Sequence, residues 1–179
     1  MVEAAIVTPL VFFVLMALMD AGLYFGQSLS LQYAARGGAR AASVAGADGL
    51  ADYDVLKAVN SGLVFVPNSR ITRVVVYRAA TWNDKPSTSC MAGIAVSGGG
   101  IGSCNVYTMT DAKRPTTDFG VGGWTGDDSY PGWLRNNHRG QADYVGVWIT
   151  SKSMTFTKIL AANDVVTNNA VVRIEARQL

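Results

Sequence analysis

Between Glu3 and Arg36 the chain carries one formal charge, Asp20, and the stretch Ala4–Met19 carries none. A helix needs about 20 largely apolar residues to cross a hydrocarbon core of ~30 Å, and Ala4–Phe25 supplies them. A cleavable secretory signal pairs a basic start with an apolar stretch of roughly 7–15 residues and a small-residue cleavage site. Here the start is acidic, no such site follows, and the helical pattern runs on. The segment therefore reads as a retained membrane helix.

That pattern outlasts the bilayer. Gln27–Ala47 is rich in Ala and Ser, with Arg36 and Arg40 one turn apart on one face. A helix from Glu3 to Ala45 would be ~64 Å long at 1.5 Å per residue, about twice what a bilayer needs, so its second half lies in water or against protein. The expected division is residues 1–47 as the long helix and 48–179 as an extracytoplasmic head.

Small residues recur along the rod. Gly22 and Gly26 form a GxxxG pair, Ala17 and Ala21 precede it, and Ala34, Gly38 and Ala42 continue it. Such spacing lets helix backbones approach closely where hydrophobicity cannot drive association. A single GxxxG is also common by chance in membrane helices; the length of the series favours helix packing. Pro9 removes one intrahelical hydrogen bond, so a kink or local unwinding is expected there. Asp20 is costly in or near hydrocarbon. Either it pairs with a basic group such as Arg36 or Arg40 of another subunit, or it sits at the outer headgroup boundary.

The remainder suits one modest domain. Net charge is +2, from 15 Lys and Arg against 13 Asp and Glu, which gives no bulk reason to bind duplex nucleic acid. Cys90 and Cys104 are the only cysteines. Their even number in a Gly/Ser-rich stretch suggests a disulfide formed in an oxidising compartment, the alternative being two buried thiols. A short amphipathic helix is expected at Tyr53–Gly62, with Asp52 as N-cap and Val55, Leu56, Val59 and Leu63 as its apolar face. Ile71–Tyr77 reads as a strand apolar on both faces, and Tyr144–Ile149 and Val171–Ala176 alternate; Asn105–Met109 is a weaker strand. The sum is an α+β fold: a long N-terminal hydrophobic, membrane-spanning helix continuing into a head whose antiparallel sheet packs on its protruding half.

Residues 80–141 hold 11 of the 19 glycines and lack periodicity, so they read as long Gly-rich surface loops stapled by the cysteines. Trp124, Tyr130, Trp133, Arg135, His138 and Arg139 concentrate there. They are either an exposed surface for a glycan, single strand or protein, or rings that cover the sheet. Asp111, Asp118, Asp127 and Asp128 match no Ca²⁺ loop and read as turn aspartates. The sole histidine, His138, has no nucleophile motif near it, no GxSxG, HExxH or CxxC occurs, and Gly98–Gly102 lacks the ending of a phosphate loop. Asp143 and Glu175 read as strand residues in solvated pairs with arginines. No enzyme, cofactor or metal is expected.

Val2-Glu3-Ala4, Pro9, Asp20, Gly22, Gln32–Arg36 and Gly38–Ala42 together resemble the TadE-like family, pilin-like subunits of the tight-adherence (Tad, or Flp) pilus, a branch of the type IV pilus machinery. Arg70–Ala79, Cys104–Tyr107, Ala142–Ile149 and Val171–Ala176 are similar to longer members. The resemblance implies a subunit parked in the cytoplasmic membrane with its head outside, then moved into an extracellular filament on the bacterial surface. Its implied partners are copies of itself, other pilins, the pilus assembly machinery and a prepilin peptidase. Glu3, Pro9, Asp20, Gly22, Gly26, Arg36 and Arg40 become assembly residues. In type IV-like pilins an acidic residue such as Glu3 neutralises a neighbour's N-terminal amine, opposite charges in low dielectric being costly apart. Related pilins carry it two positions further from the processed end, so either cleavage is shifted or the mature chain is longer than this sequence. The large head suits a minor component. The competing reading is a monomeric membrane-tethered extracellular module whose aromatic-rich loop captures a ligand.

Overall fold

The computed structural model describes residues 2–113, 119, 135, 142–156 and 164–175, with side chains from residue 7 onward. Helix α1 runs unbroken from Val2 to Ala45 through Pro9, and closes with the Gly46 N–H on the Ala42 carbonyl at 3.0 Å. After a turn, α2 spans Ala51–Gly62. The strands are β1 (Ile71–Ala79), β2 (Cys104–Tyr107), β3 (Tyr144–Lys152) and β4 (Val165–Arg173), with a one-turn helix, α3 (Thr88–Ala92), between β1 and β2. They form one antiparallel sheet in the order β2-β1-β3-β4. The chain is α+β, as its sequence pattern implies.

Helix α2 forms where Val55, Leu56 and Val59 recur at helical spacing, and all three are buried. Two acidic residues, Asp52 and Asp54, stand in its first turn, where the helix dipole favours them. Asp52 is not the N-cap: Leu50 holds that position without a side-chain bond, and Asp52 turns inward.

Strand β1 buries both faces. Val74 and Val76 join the principal core with Leu31, Ala34 and Ala39 of α1 and with the apolar face of α2. Val75 and Tyr77 face the other way, into a smaller core with Trp148, Cys90 and Cys104. The two cysteines are joined, 14 residues apart, and tie α3 to β2. Helix α3 lies where loop was expected; Ser87 caps it, its hydroxyl accepting from the Cys90 N–H.

The strand bounds depart from the sequence reading: β1 runs two residues past Tyr77, and β2 is Cys104–Tyr107 and not Asn105–Met109. β3 continues three residues past Ile149, with Thr150 and Ser151 buried. β4 begins at Val165 and ends at Arg173, so it takes in the polar Thr167-Asn168-Asn169, and the expected Ala176 lies outside the described residues. Asn168 pairs across from Ile149, and its Nδ2 donates to the Ser28 carbonyl of α1 at 3.1 Å. A strand that docks on a helix backbone uses an amide where a buried strand normally carries an apolar group.

Candidate assembly surface

From Val7 to Met19, α1 carries exposed apolar side chains around nearly its whole circumference. Val7–Ala45 is the one helix among the described residues long and apolar enough to cross a membrane. Above Met19 the helix acquires two unlike faces.

The inner face, at spacings of seven, four and three, is Asp20, Gln27, Leu31, Ala34, Gly38 and Ala42, all buried. Asp20 is 1% exposed, and its carboxylate accepts from the Phe156 N–H at 2.7 Å. Its oxygen is thus engaged by the chain's own head, an arrangement that neither sequence alternative contained. Arg36 and Arg40 lie on the exposed side, well up the rod. Gln27 donates from Nε2 to Ser151 Oγ (2.6 Å) and the Lys152 carbonyl (2.7 Å), while its Oε1 accepts from the Met154 N–H at 3.0 Å. Near the top, Ser43 Oγ donates to the Arg173 carbonyl (2.7 Å). Gln27, Ser43 and Asn168 were missed by sequence reasoning. The available signal was that Asp20 and Gln27 stand seven residues apart, on one face of an otherwise apolar helix.

The small-residue series divides between the two faces. Ala34, Gly38 and Ala42 pack within the chain. A Cβ on Gly38 would lie 2.7 Å from Val59 Cγ2, so α1 and α2 approach this closely only at glycine. Gly26 is half covered by the Phe65 ring, whereas Gly22 faces open space. On the outer face Phe25, Leu29 and Tyr33 follow at four-residue spacing, all exposed. The Glu3 side chain is outside the described residues.

Of the aromatic-and-arginine set, Trp124, Tyr130, Trp133, His138 and Arg139 also lie outside the described residues. Arg135 is described and is 2% exposed, so it is no part of an exposed surface. It is an internal ion-pair partner of Asp52. The same carboxylate accepts from Asn105 Nδ2 (2.6 Å) and Tyr107 OH (2.7 Å). Burial, and then the charge of Asp52, push the Tyr107 phenol well above its ordinary range. Asp143 pairs with Arg78 at 2.5 Å as expected, but it is buried, not solvated, and it precedes β3. Glu175 lies beyond the end of β4, its N–H on the Ser43 carbonyl at 3.1 Å.

Among the described residues no group of three or more His, Cys, Asp and Glu could hold a metal ion. Asp111 is a turn aspartate, accepting from the Thr108 N–H (2.6 Å) and hydroxyl (2.9 Å); Asp118, Asp127 and Asp128 lie outside the described residues.

No curated protein and no solved structure matches the chain. A family model does: residues 1–40 match the one described as TadE-like protein. The apolar stem and the start of the docked segment, residues 1–40, are therefore similar to the TadE-like family.

Proposed function

We propose that the chain is a structural, pilin-like subunit of a Tad pilus, held in the membrane by the lower part of α1 and then packed through that helix into an extracellular filament used in surface adhesion. One observation carries the reading. The exposed apolar surface of α1 continues past the bilayer to Leu29 and Tyr33, on the side away from the head. Tyr33 is about 43 Å along the rod from Ala4 at 1.5 Å per residue, beyond the reach of a ~30 Å hydrocarbon core. Sister helices are the natural cover for such a stripe, and Gly22, open on its surface, allows a close backbone approach. Charge neutralisation at Glu3 would set the axial register.

The test is recovery of the chain in sheared surface fibres. Leu29→Glu combined with Tyr33→Glu, and separately Glu3→Ala, are expected to leave the protein in the membrane fraction with a folded head, while fibre incorporation is lost. Wild-type fibre content in both variants would overturn the assembly role.

A further inference from the structure

We infer that, while α1 spans the membrane, the underside of the head is seated in the headgroup layer of a bilayer containing acidic phospholipid, with Phe156 and Val64–Phe65 as its apolar contacts and Arg70 and Lys152 as its phosphate contacts. The inference uses only the membrane-resident stage of the function proposed above.

About 20 residues are needed to cross the hydrocarbon, and counted from Ala4, just past the charge of Glu3, they end near Leu23. The head already holds α1 at Asp20. Stem and head therefore overlap by about three residues, or 4.5 Å at 1.5 Å per residue. Any tilt of the helix increases the overlap, because a tilted helix spends more residues inside the same thickness.

The residues at that level have the required chemistry. Phe156 is 65% exposed and is fixed to the level of Asp20 by its own N–H. Val64 is 91% exposed, and its neighbour Phe65 rests on Gly26 with its N–H on Ser30 Oγ at 3.3 Å. Gly26 is about as far above the hydrocarbon boundary as Asp20 is below it. Val64–Phe65 thus falls in the headgroup layer, roughly 5–8 Å deep on each side, and Phe156 reaches about 4.5 Å past it into the outer edge of the hydrocarbon. Two exposed bases share this end of the sheet. Arg70 Nη1 donates to the Ser153 carbonyl at 2.8 Å, and the carbonyl of Lys152 is held by Gln27. The acidic neighbour is Asp164, whose carbonyl accepts from the Ser153 N–H at 2.8 Å. Two aromatic rings and a valine beside two cations suit an interface where acyl chains meet anionic phosphates. The seat also accounts for Asp20: the Phe156 N–H keeps its carboxylate hydrogen-bonded just inside the hydrocarbon boundary, where an unpaired charge is costly.

The experiment uses the full chain in vesicles of phosphatidylcholine and phosphatidylglycerol brominated on the acyl chains close to the glycerol. Phe156→Trp places a fluorophore at an exposed position without disturbing the core. Trp82, 75% exposed and beyond the far end of β1, is the native distal reference. Most of the added emission at position 156 should be quenched, and Val64→Trp should behave alike. In phosphatidylcholine alone the quenching should fall, and Arg70→Gln with Lys152→Gln should abolish that dependence on lipid charge. Added emission that is no more quenched than in brominated-lipid-free vesicles, from protein that floats with the vesicles, overturns the seat and leaves the pilus role intact. Protein that fails to float with the vesicles overturns both.

Discussion

The backbone N–H of Phe156 and the carboxylate of Asp20 meet at 2.7 Å across 136 residues of chain. The acid most at odds with a membrane stem is thereby a point at which the head holds the rod. A donor left buried without its acceptor costs about 1–3 kcal/mol. Asp20→Ala should lower head stability in detergent by that amount and raise amide hydrogen exchange selectively over residues 153–156, while Asp20→Asn, which keeps an acceptor, should cost less. Equal exchange in all three proteins would remove this role.

Two glycines of the small-residue series, Gly38 and Gly22, should respond in opposite ways. At Gly38 a Cβ would meet Val59 Cγ2 at 2.7 Å, whereas at Gly22 it meets nothing within 4 Å. Overpacking of a closed contact typically costs about 1–3 kcal/mol. Gly38→Ala is expected to reduce thermal stability in detergent, and Gly22→Ala to leave it unchanged or slightly raised through helix propensity. A melting point insensitive to Gly38→Ala would mean that α1 and α2 are not so closely apposed.

Removal of one member of the internal ion pair should be among the most damaging changes in the head. Asp52 gathers Arg135, Asn105 and Tyr107 around one carboxylate, and breaking a buried pair on one side typically costs about 3–5 kcal/mol. Asp52→Ala should approach that loss in denaturant unfolding. Destabilisation confined to the scale of a surface substitution would contradict the burial of Arg135.

Loss of the link between Cys90 and Cys104, which closes a short loop, is worth about 3 kcal/mol by loop-closure entropy. Cys90→Ser with Cys104→Ser should lower the denaturation midpoint accordingly, most visibly in the exchange rates of α3 and β2. A midpoint unchanged by reduction would show that the small core holds without the link.

Alkaline pH should weaken the head through its tyrosines. Burial pushes the Tyr77 phenol up from 10.0 to about 12, and Tyr107 is raised as well. Below pH 10 both phenols are protonated folded or unfolded, so their contribution is complete. Above it the unfolded chain loses protons that the folded chain retains, and stability falls as pH rises from about 10 to about 12. Tyr77→Phe should flatten that decline; an unaltered slope would mean that the phenol titrates normally in the fold.

Much of this architecture was legible because its causes are local. Helical spacing of Val55, Leu56 and Val59 marks α2, and an uninterrupted apolar run marks the stem. What escaped depends on partners distant in the chain. Asn168 looks like loop until Ser28 is beside it, and Asp52 looks like a cap until Arg135 arrives from 83 residues away. The small-residue series of α1 could not be divided in advance, because spacing alone does not say whether Val59 or another molecule fills the space above Gly38. Gly146 carries a similar lesson. The Tyr77 ring lies directly across it, where a Cβ would stand 2.2 Å from the ring, so a glycine that looks like a weak point in β3 is covered by its cross-strand partner.

Gln27 and Ser43 fasten opposite ends of β3 and β4 to one helix, sixteen residues apart or about 24 Å along its axis. Two fixings at that separation leave the globular part no freedom to swivel around its stalk. Each copy therefore leaves the folding process with its azimuth already decided. In any polymer of such copies, the outward relief is dictated by how the stalks stack, and torque on a stalk is borne undiminished by the part it carries.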